Sequence, residues 1–182
     1  MRGYMKAFFD IDTQIDFVYP AGALYGPGAE RVIPRVAALN AFAGKHGIPV
    51  ISSMCAHPED AAEFRVWPPH CITGTVGQKK PAATLIAGCR QIIVEKNALD
   101  LFSNPTVPGL LDDLGIDDCY VYGVFLEYCV KCAIMGLLKT GRKVTLVTDA
   151  SAHLSAEAAR QVRDEFAAAG GRSIAGLGDI EY

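Results

Sequence analysis

Cys129 stands where the apolar run "GVFLEYC" passes into the helical pattern "VKCAIMGLLKTG". A thiol in the first turn of a helix meets unpaired backbone N–H groups and the positive end of the dipole. Both favour the thiolate, the reactive form. Two other residues end short apolar runs and complement it. Lys96 closes "QIIVEK" and would stabilise a nearby thiolate. Asp12 closes "KAFFDID" and can take the thiol proton, then deliver it to a leaving amine. Backbone N–H groups near Phe125 and Cys129 can hold the oxyanion of a tetrahedral intermediate. Together these groups would perform acyl transfer, cleaving an amide through a thioester. Taken one at a time, the same residues have plainer roles: an inert buried thiol, a solvated lysine and a turn aspartate. Cys129 and Cys132 also form a CxxC, but "VK" fills it in place of the aromatic or Gly-Pro interior of a redox motif, so helical spacing assigns Cys132 to packing.

Convergence of residues so distant in the chain needs a scaffold, and the chain reads as one. Short β-branched runs at Ile48–Met54, Gln91–Lys96, Asp117–Val124 and Lys143–Ala150 alternate with helical patterns at Ala29–Gly47, Val107–Gly115, Glu127–Gly141 and Ser155–Gly171. Strands apolar on both faces imply a parallel sheet covered by helices on both sides, a three-layer doubly wound α/β fold formed by one domain over residues 1–182. In such a fold ligands bind beyond the carboxyl ends of the strands. The residues there are Asp10, Asp12, Met54 to His57, Lys96, Val124 to Cys129, and Asp149. A long polar stretch from His57 to about Thr84 belongs to no regular element, and loops of that length are usually functional.

Composition excludes several classes. The net charge of −3 provides no electrostatic footprint for nucleic acid or an anionic membrane, and no apolar run is long enough to span a bilayer. The start, "MRGYMKAFFDID", lacks the apolar stretch of a signal peptide, and either Met1 or Met5 can serve as the initiator. The six cysteines (Cys55, Cys71, Cys89, Cys119, Cys129 and Cys132) therefore read as reduced thiols of a cytoplasmic protein.

The motifs resemble those of the isochorismatase-like cysteine hydrolases, and within them the nicotinamidases. "FFDIDTQIDF" is similar to the family's D-x-Q-x-D-F opening; Gln14, Asp16 and Phe17 set the register so that Asp12, not Asp10, takes the catalytic position. "WPPHCITGT", "VEKNALDLFSN" and "GVFLEYCVKCA" follow in the family's order over nearly the whole chain. The resemblance implies an isochorismatase-like hydrolase fold, a Cys129–Asp12–Lys96 triad, and a cis peptide before the oxyanion-hole residue, here Val124–Phe125. It implies a homodimer or larger homo-oligomer, a small amide as the partner, and no organic cofactor. It also implies a metal site, built in nicotinamidases from an Asp-x-His pair and a later histidine that fix the pyridine nitrogen of the substrate. Here the pair reads Cys55-Ala56-His57, with His70 as the later histidine and Glu63 seven residues before it. Cysteine stands where aspartate is expected. A thiolate and two imidazoles, completed by Glu63 or water, would suit Zn2+ or another divalent ion; otherwise Cys55 and His57 are loop residues of a degraded site. Phe17 and Trp67 would wall a flat ring, and Phe125 is bulky where a small residue is common, which would narrow the pocket.

The expected activity is hydrolysis of nicotinamide to nicotinate and ammonia, feeding NAD salvage. The alternative is a related amidohydrolase acting on another small amide or carbamoyl compound without metal. A non-catalytic binding protein and an isochorismate hydrolase fit less well, because neither needs Cys129. Cys129→Ala is expected to abolish turnover with the fold intact, as read by circular dichroism and ammonia release, whereas Cys132→Ala is expected to lose little.

Overall fold

The structure, a computed structural model, describes residues 5–87 and 90–181. Cys89 and Met1 lie outside the described residues. Six strands form one parallel sheet: β1 (Met5–Ile11), β2 (Val50–Cys55), β3 (Gln91–Lys96), β4 (Ile116–Gly123), β5 (Lys143–Ser151) and β6 (Arg172–Ile174), in the order β3-β2-β1-β4-β5-β6. The doubly wound α/β fold expected from the alternating pattern is the fold observed.

Strand alternation sorts the core into two layers. On β1, Ala7, Phe9 and Ile11 face one side with Ile51 and Val121, while Phe8 faces the other with Val50, Tyr120 and Tyr122. The Phe8 side is covered by helix α2 (Ile33–Lys45), which presents Val36, Leu39 and Ala43 at helical spacing. The Phe9 side is covered by α3 (Val107–Asp113), α4 (Lys131–Lys139) and α5 (Ala156–Ala168), through Leu111, Ile134, Leu137, Val162 and Phe166. Pro34 lies in the first turn of α2, where its missing N–H costs no helical bond. Ser155 caps α5 by accepting the Ala158 N–H (3.3 Å). Among the described residues, no helix is long and apolar enough to cross a membrane.

The structure differs from the sequence reading in three places. The helix expected over Glu127–Gly141 begins only at Lys131; before it, Leu126–Val130 forms a wide π-type turn in which Tyr128 leaves helical angles (φ −122°, ψ −105°). Edge strand β6 and the short helix α1 (Ile15–Val18) have no counterpart in the sequence reading, because three or four residues carry too little periodicity to register. The stretch from His57 to Thr84 is irregular but tethered. His57 pairs with Ile72 in a β-bridge, two 3-10 turns (Ala62–Arg65 and Ala82–Thr84) punctuate it, and Asp16 Oδ2 accepts the Cys71 N–H at 2.7 Å.

That stretch is also held from below by a buried polar network. Lys80 Nζ lies 3.1 Å from Asp10 Oδ1 and donates to Thr13 Oγ1 (3.0 Å), while Thr13, Asn40 and Ser52 donate to the Asp10 carboxylate. Asp10 is therefore a structural anchor under the strand ends. Removing one partner of a buried pair leaves the other charge uncompensated. Lys80→Met is expected to lower unfolding stability by about 3–5 kcal/mol in a denaturant titration.

Candidate active site

The chain leaves β1 towards β2 on one side and returns to β4 on the other, so the carboxyl ends of β1 and β4 diverge at a topological switch point. Four chemically active side chains meet there. Asp12 follows the last residue of β1, Cys55 ends β2, Lys96 ends β3, and Cys129 lies just beyond β4 in the wide turn. Gly123 ends β4 with φ 131°, and a Cβ there would lie 2.1 Å from the Ile11 carbonyl oxygen, so only glycine lets the strand turn this close to β1.

Asp12 adopts a left-handed backbone (φ 50°), a conformation aspartate tolerates better than most residues. Ser53 fixes its side chain by donating Oγ–H to Oδ1 at 2.6 Å. Lys96 Nζ sits 2.7 Å from Asp12 Oδ2, with both side chains fully buried. The ammonium also donates to the Ala98 carbonyl (2.8 Å) and lies 3.3 Å from Cys55 Sγ and 3.7 Å from Cys129 Sγ. Burial pushes the Asp12 carboxyl up, but the Lys96 charge and hydrogen bond outweigh it and hold the carboxyl below its usual range. Burial pulls Lys96 down, and Asp12 with the two sulfurs raises it well above an ordinary lysine. The pair is thus ionised, with the carboxylate ready to accept a proton.

The two thiols depart from the expectation for Cys129. Because α4 starts at Lys131, Cys129 precedes the helix rather than occupying its first turn. The neighbouring Cys55 first, and burial second, push the Cys129 thiol well up. Cys129 in turn brings the Cys55 thiol down to about 7. Two adjacent buried sulfurs near one ammonium accommodate a single negative charge, and the second ionisation is resisted.

A cavity of about 90 Å³ opens over Cys129, walled by Phe17, Trp67, Phe125, Tyr128 and Leu154, with Cys55 also in its lining. Phe17 and Trp67, expected from the sequence to wall a ring, line it, as does Phe125, expected to narrow it. Trp67 meets Tyr128 edge-on (centroids 5.4 Å, 85°), and Phe17 meets Phe125 in the same way (6.1 Å, 78°). The Val124–Phe125 peptide is cis. Among the described residues, the Phe125 N–H donates to no protein acceptor, while its carbonyl accepts from Tyr128 (3.0 Å) and Val130 (3.3 Å).

His57, Glu63 and His70 form a second cluster, their ligand atoms within 4.8 Å of one another, with Glu63 and His70 in the cavity lining. His57 Nδ1 pairs with Asn97 Oδ1 (2.6 Å), and His70 Nδ1 with the Pro68 carbonyl (2.7 Å). Each carbonyl oxygen accepts from an Nδ1–H, so in the neutral ring an Nε2 lone pair faces Glu63 at 3.8 Å on either side. His57 Nε2 is buried and has no hydrogen-bond partner. An orphaned lone pair, a matching imidazole and a carboxylate, each imidazole oriented by a carbonyl oxygen, fit a divalent ion of the zinc kind. Cys55, grouped with the histidines in the sequence reading, has its sulfur in the Asp12–Cys129 cluster instead, although His57 remains close enough to help lower it.

Gln14 belongs to the opening motif, yet its role emerged only in three dimensions. Its amide donates to the Cys55 and Gln78 carbonyls (2.8 and 2.7 Å) and accepts the Cys55 N–H (2.7 Å), clamping the end of β2. Glu127 carries no motif signal in the sequence; its Oε1 accepts the Leu154 and Ser155 N–H groups (2.9 and 2.7 Å), pinning the wide turn to the start of α5.

A thiol, a carboxylate and an ammonium at the switch point of a doubly wound sheet define a hydrolase-type site. The chain belongs to the isochorismatase family, whose domain model matches residues 6–175. It is a hydrolase acting on amide C–N bonds. It is 26% identical to the nicotinamidase of Escherichia coli (strain K12), over 79% of this chain and 81% of that one, and 24% identical to the nicotinamidase of Saccharomyces cerevisiae, over 90% and 96%. Among solved structures, the pyrazinamidase of Pyrococcus horikoshii in complex with zinc superposes with a TM-score of 0.87 at 27% identity, covering 93% of this chain and 98% of that chain.

Because Lys96 holds both the Asp12 charge and the two sulfurs, Lys96→Met is expected to slow alkylation of Cys129 by iodoacetamide at neutral pH, measured by peptide mass mapping.

Proposed function

We propose that this chain is a nicotinamidase-type amidase, converting nicotinamide and water to nicotinate and ammonia with Cys129 as nucleophile. The observation that carries the reading is the placement of Cys129, its sulfur 3.7 Å from Lys96 Nζ, in the lining of an aromatic-walled cavity beside the Asp12–Lys96 pair. The relatives supply the substrate class, and the aromatic lining of the cavity suits a pyridine carboxamide.

Asp12 takes the Cys129 proton as the sulfur attacks the amide carbonyl carbon. Lys96 holds the carboxylate in place and offsets the charge on sulfur. The oxyanion is received by the N–H groups of Phe125 and Cys129. Asp12 then protonates the departing nitrogen, the C–N bond breaks, and ammonia leaves a thioester on Cys129. Asp12 next draws a proton from water, which attacks the thioester, and the acid product departs with the thiol restored. His57, Glu63 and His70 would hold Zn2+ or another divalent ion, which when bound supplies a Lewis acid for the ring nitrogen of the substrate. Phe17, Trp67 and Phe125 confine the ring so that its carboxamide points towards the sulfur.

Purified protein is expected to release ammonia from nicotinamide. Chelation is expected to raise KM or abolish turnover, and added zinc to restore it, with metal content followed by elemental analysis. Ammonia from other small amides or carbamoyl compounds, but none from nicotinamide, would favour the metal-independent amidohydrolase; the bulk of Phe125 in the pocket lining is the feature that favours that outcome.

A further inference from the structure

The chemistry above leaves Cys55 without a task. Its sulfur lies with Cys129 Sγ and an Asp12 carboxylate oxygen in a group whose members are all within 4.8 Å of one another. Lys96 Nζ spans the two sulfurs at 3.3 and 3.7 Å, and Asp12 Oδ2 lies 3.7 Å from Cys55 Sγ. Both cysteines line the same cavity, so a small reagent reaching one meets the other. The remaining described thiols do not line the cavity: Cys71 and Cys119 are buried outside its lining, and Cys132 sits on α4.

We propose that Cys55 is the resolving thiol of Cys129: after a hydroperoxide oxidises Cys129, the two sulfurs close a disulfide that stops turnover until a thiol reductant reopens it. This rests on Cys129 being the reactive thiol of the proposed function. In the first step the Cys129 sulfur attacks the outer peroxide oxygen, the O–O bond breaks, and the alcohol or water leaves with a proton. Cys129 is then a sulfenic acid. In the second step Asp12 takes the Cys55 proton, the Cys55 sulfur attacks Cys129 Sγ, and the S–O bond breaks; the departing hydroxide takes the proton from Asp12 and leaves as water. Two thiols have lost two electrons and two protons to one hydroperoxide. An S–S bond is about 2 Å long, so the sulfurs must approach from their resting separation. Closing that gap takes a side-chain rotation at Cys129, which lies in the wide turn Leu126–Val130. Closure places the nucleophile in a bond to Cys55 and protects it from over-oxidation.

The test treats the whole purified protein with hydrogen peroxide, then maps peptides under non-reducing conditions and assays ammonia release before and after dithiothreitol. Wild-type protein is expected to show a Cys55–Cys129 linked peptide with the loss of two hydrogens, and a loss of turnover that the reductant reverses. In Cys55→Ser the linked peptide is absent, Cys129 gains two oxygens as a sulfinic acid, and the reductant restores nothing. Wild-type protein with Cys129 over-oxidised and Cys55 still a free thiol, or with Cys129 bonded to Cys132, would overturn the inference. The mapping on wild-type protein decides the matter even if the variant fails to fold. Because mapping reads bonds and not turnover, a linked peptide in a protein that cleaves no amide would sink the proposed function and leave the thiol pair standing.

Discussion

The site is organised around an ion pair that has been removed from water. Lys96 Nζ and Asp12 Oδ2 lie 2.7 Å apart with no exposed side-chain surface on either residue. Each charge is stable at that depth only because the other is present and because the remaining hydrogen-bonding positions are filled, by Ser53 on the carboxylate and by Ala98 on the ammonium. The placement of strands β1, β2 and β3 side by side, in register, is what allows it. Ser53 on β2 pairs with Ile11 on β1, one residue before Asp12, and Cys55 on β2 pairs with Lys96 on β3. A slip of one residue in either pairing would send a partner to the opposite face.

The same pair governs the sulfurs. One ammonium within reach of two thiols and a carboxylate can balance only part of the negative charge they are able to carry, so the group as a whole titrates as a unit. The helix dipole has a smaller part in this than the apolar-to-helical transition in the sequence suggested, since α4 begins two residues beyond Cys129. The wide turn takes its place: it directs the sulfur at the ion pair, and Glu127 ties it to α5. A second buried pair, Asp10 with Lys80, stiffens the floor beneath and holds the loop that carries His70.

The fold was legible from particular stretches. "QIIVEK" coincides with β3 residue for residue, and Ser155 caps α5 as its residue type foretold. Periodicity works here because each strand and helix must bury a definite face, and that requirement is written locally. Asp12, Lys96 and Cys129 were legible through their positions at the ends of such runs and through the order of the motifs. His57, Glu63 and His70 were legible as residue types, and their convergence follows from a bridge between His57 and Ile72 that no periodicity encodes.

By itself, then, the sequence determined the alternation of strands and helices, the family, and the residue types available for chemistry, because these depend on burial patterns and motif order along the chain. The tertiary structure alone decided which side of the site Cys55 serves, that Gln14 clamps it, that a wide turn rather than a helix holds Cys129, and that β6 completes the sheet. Those outcomes turn on side-chain directions and on pairings between residues far apart in the chain, which take effect only when the strands lie next to one another.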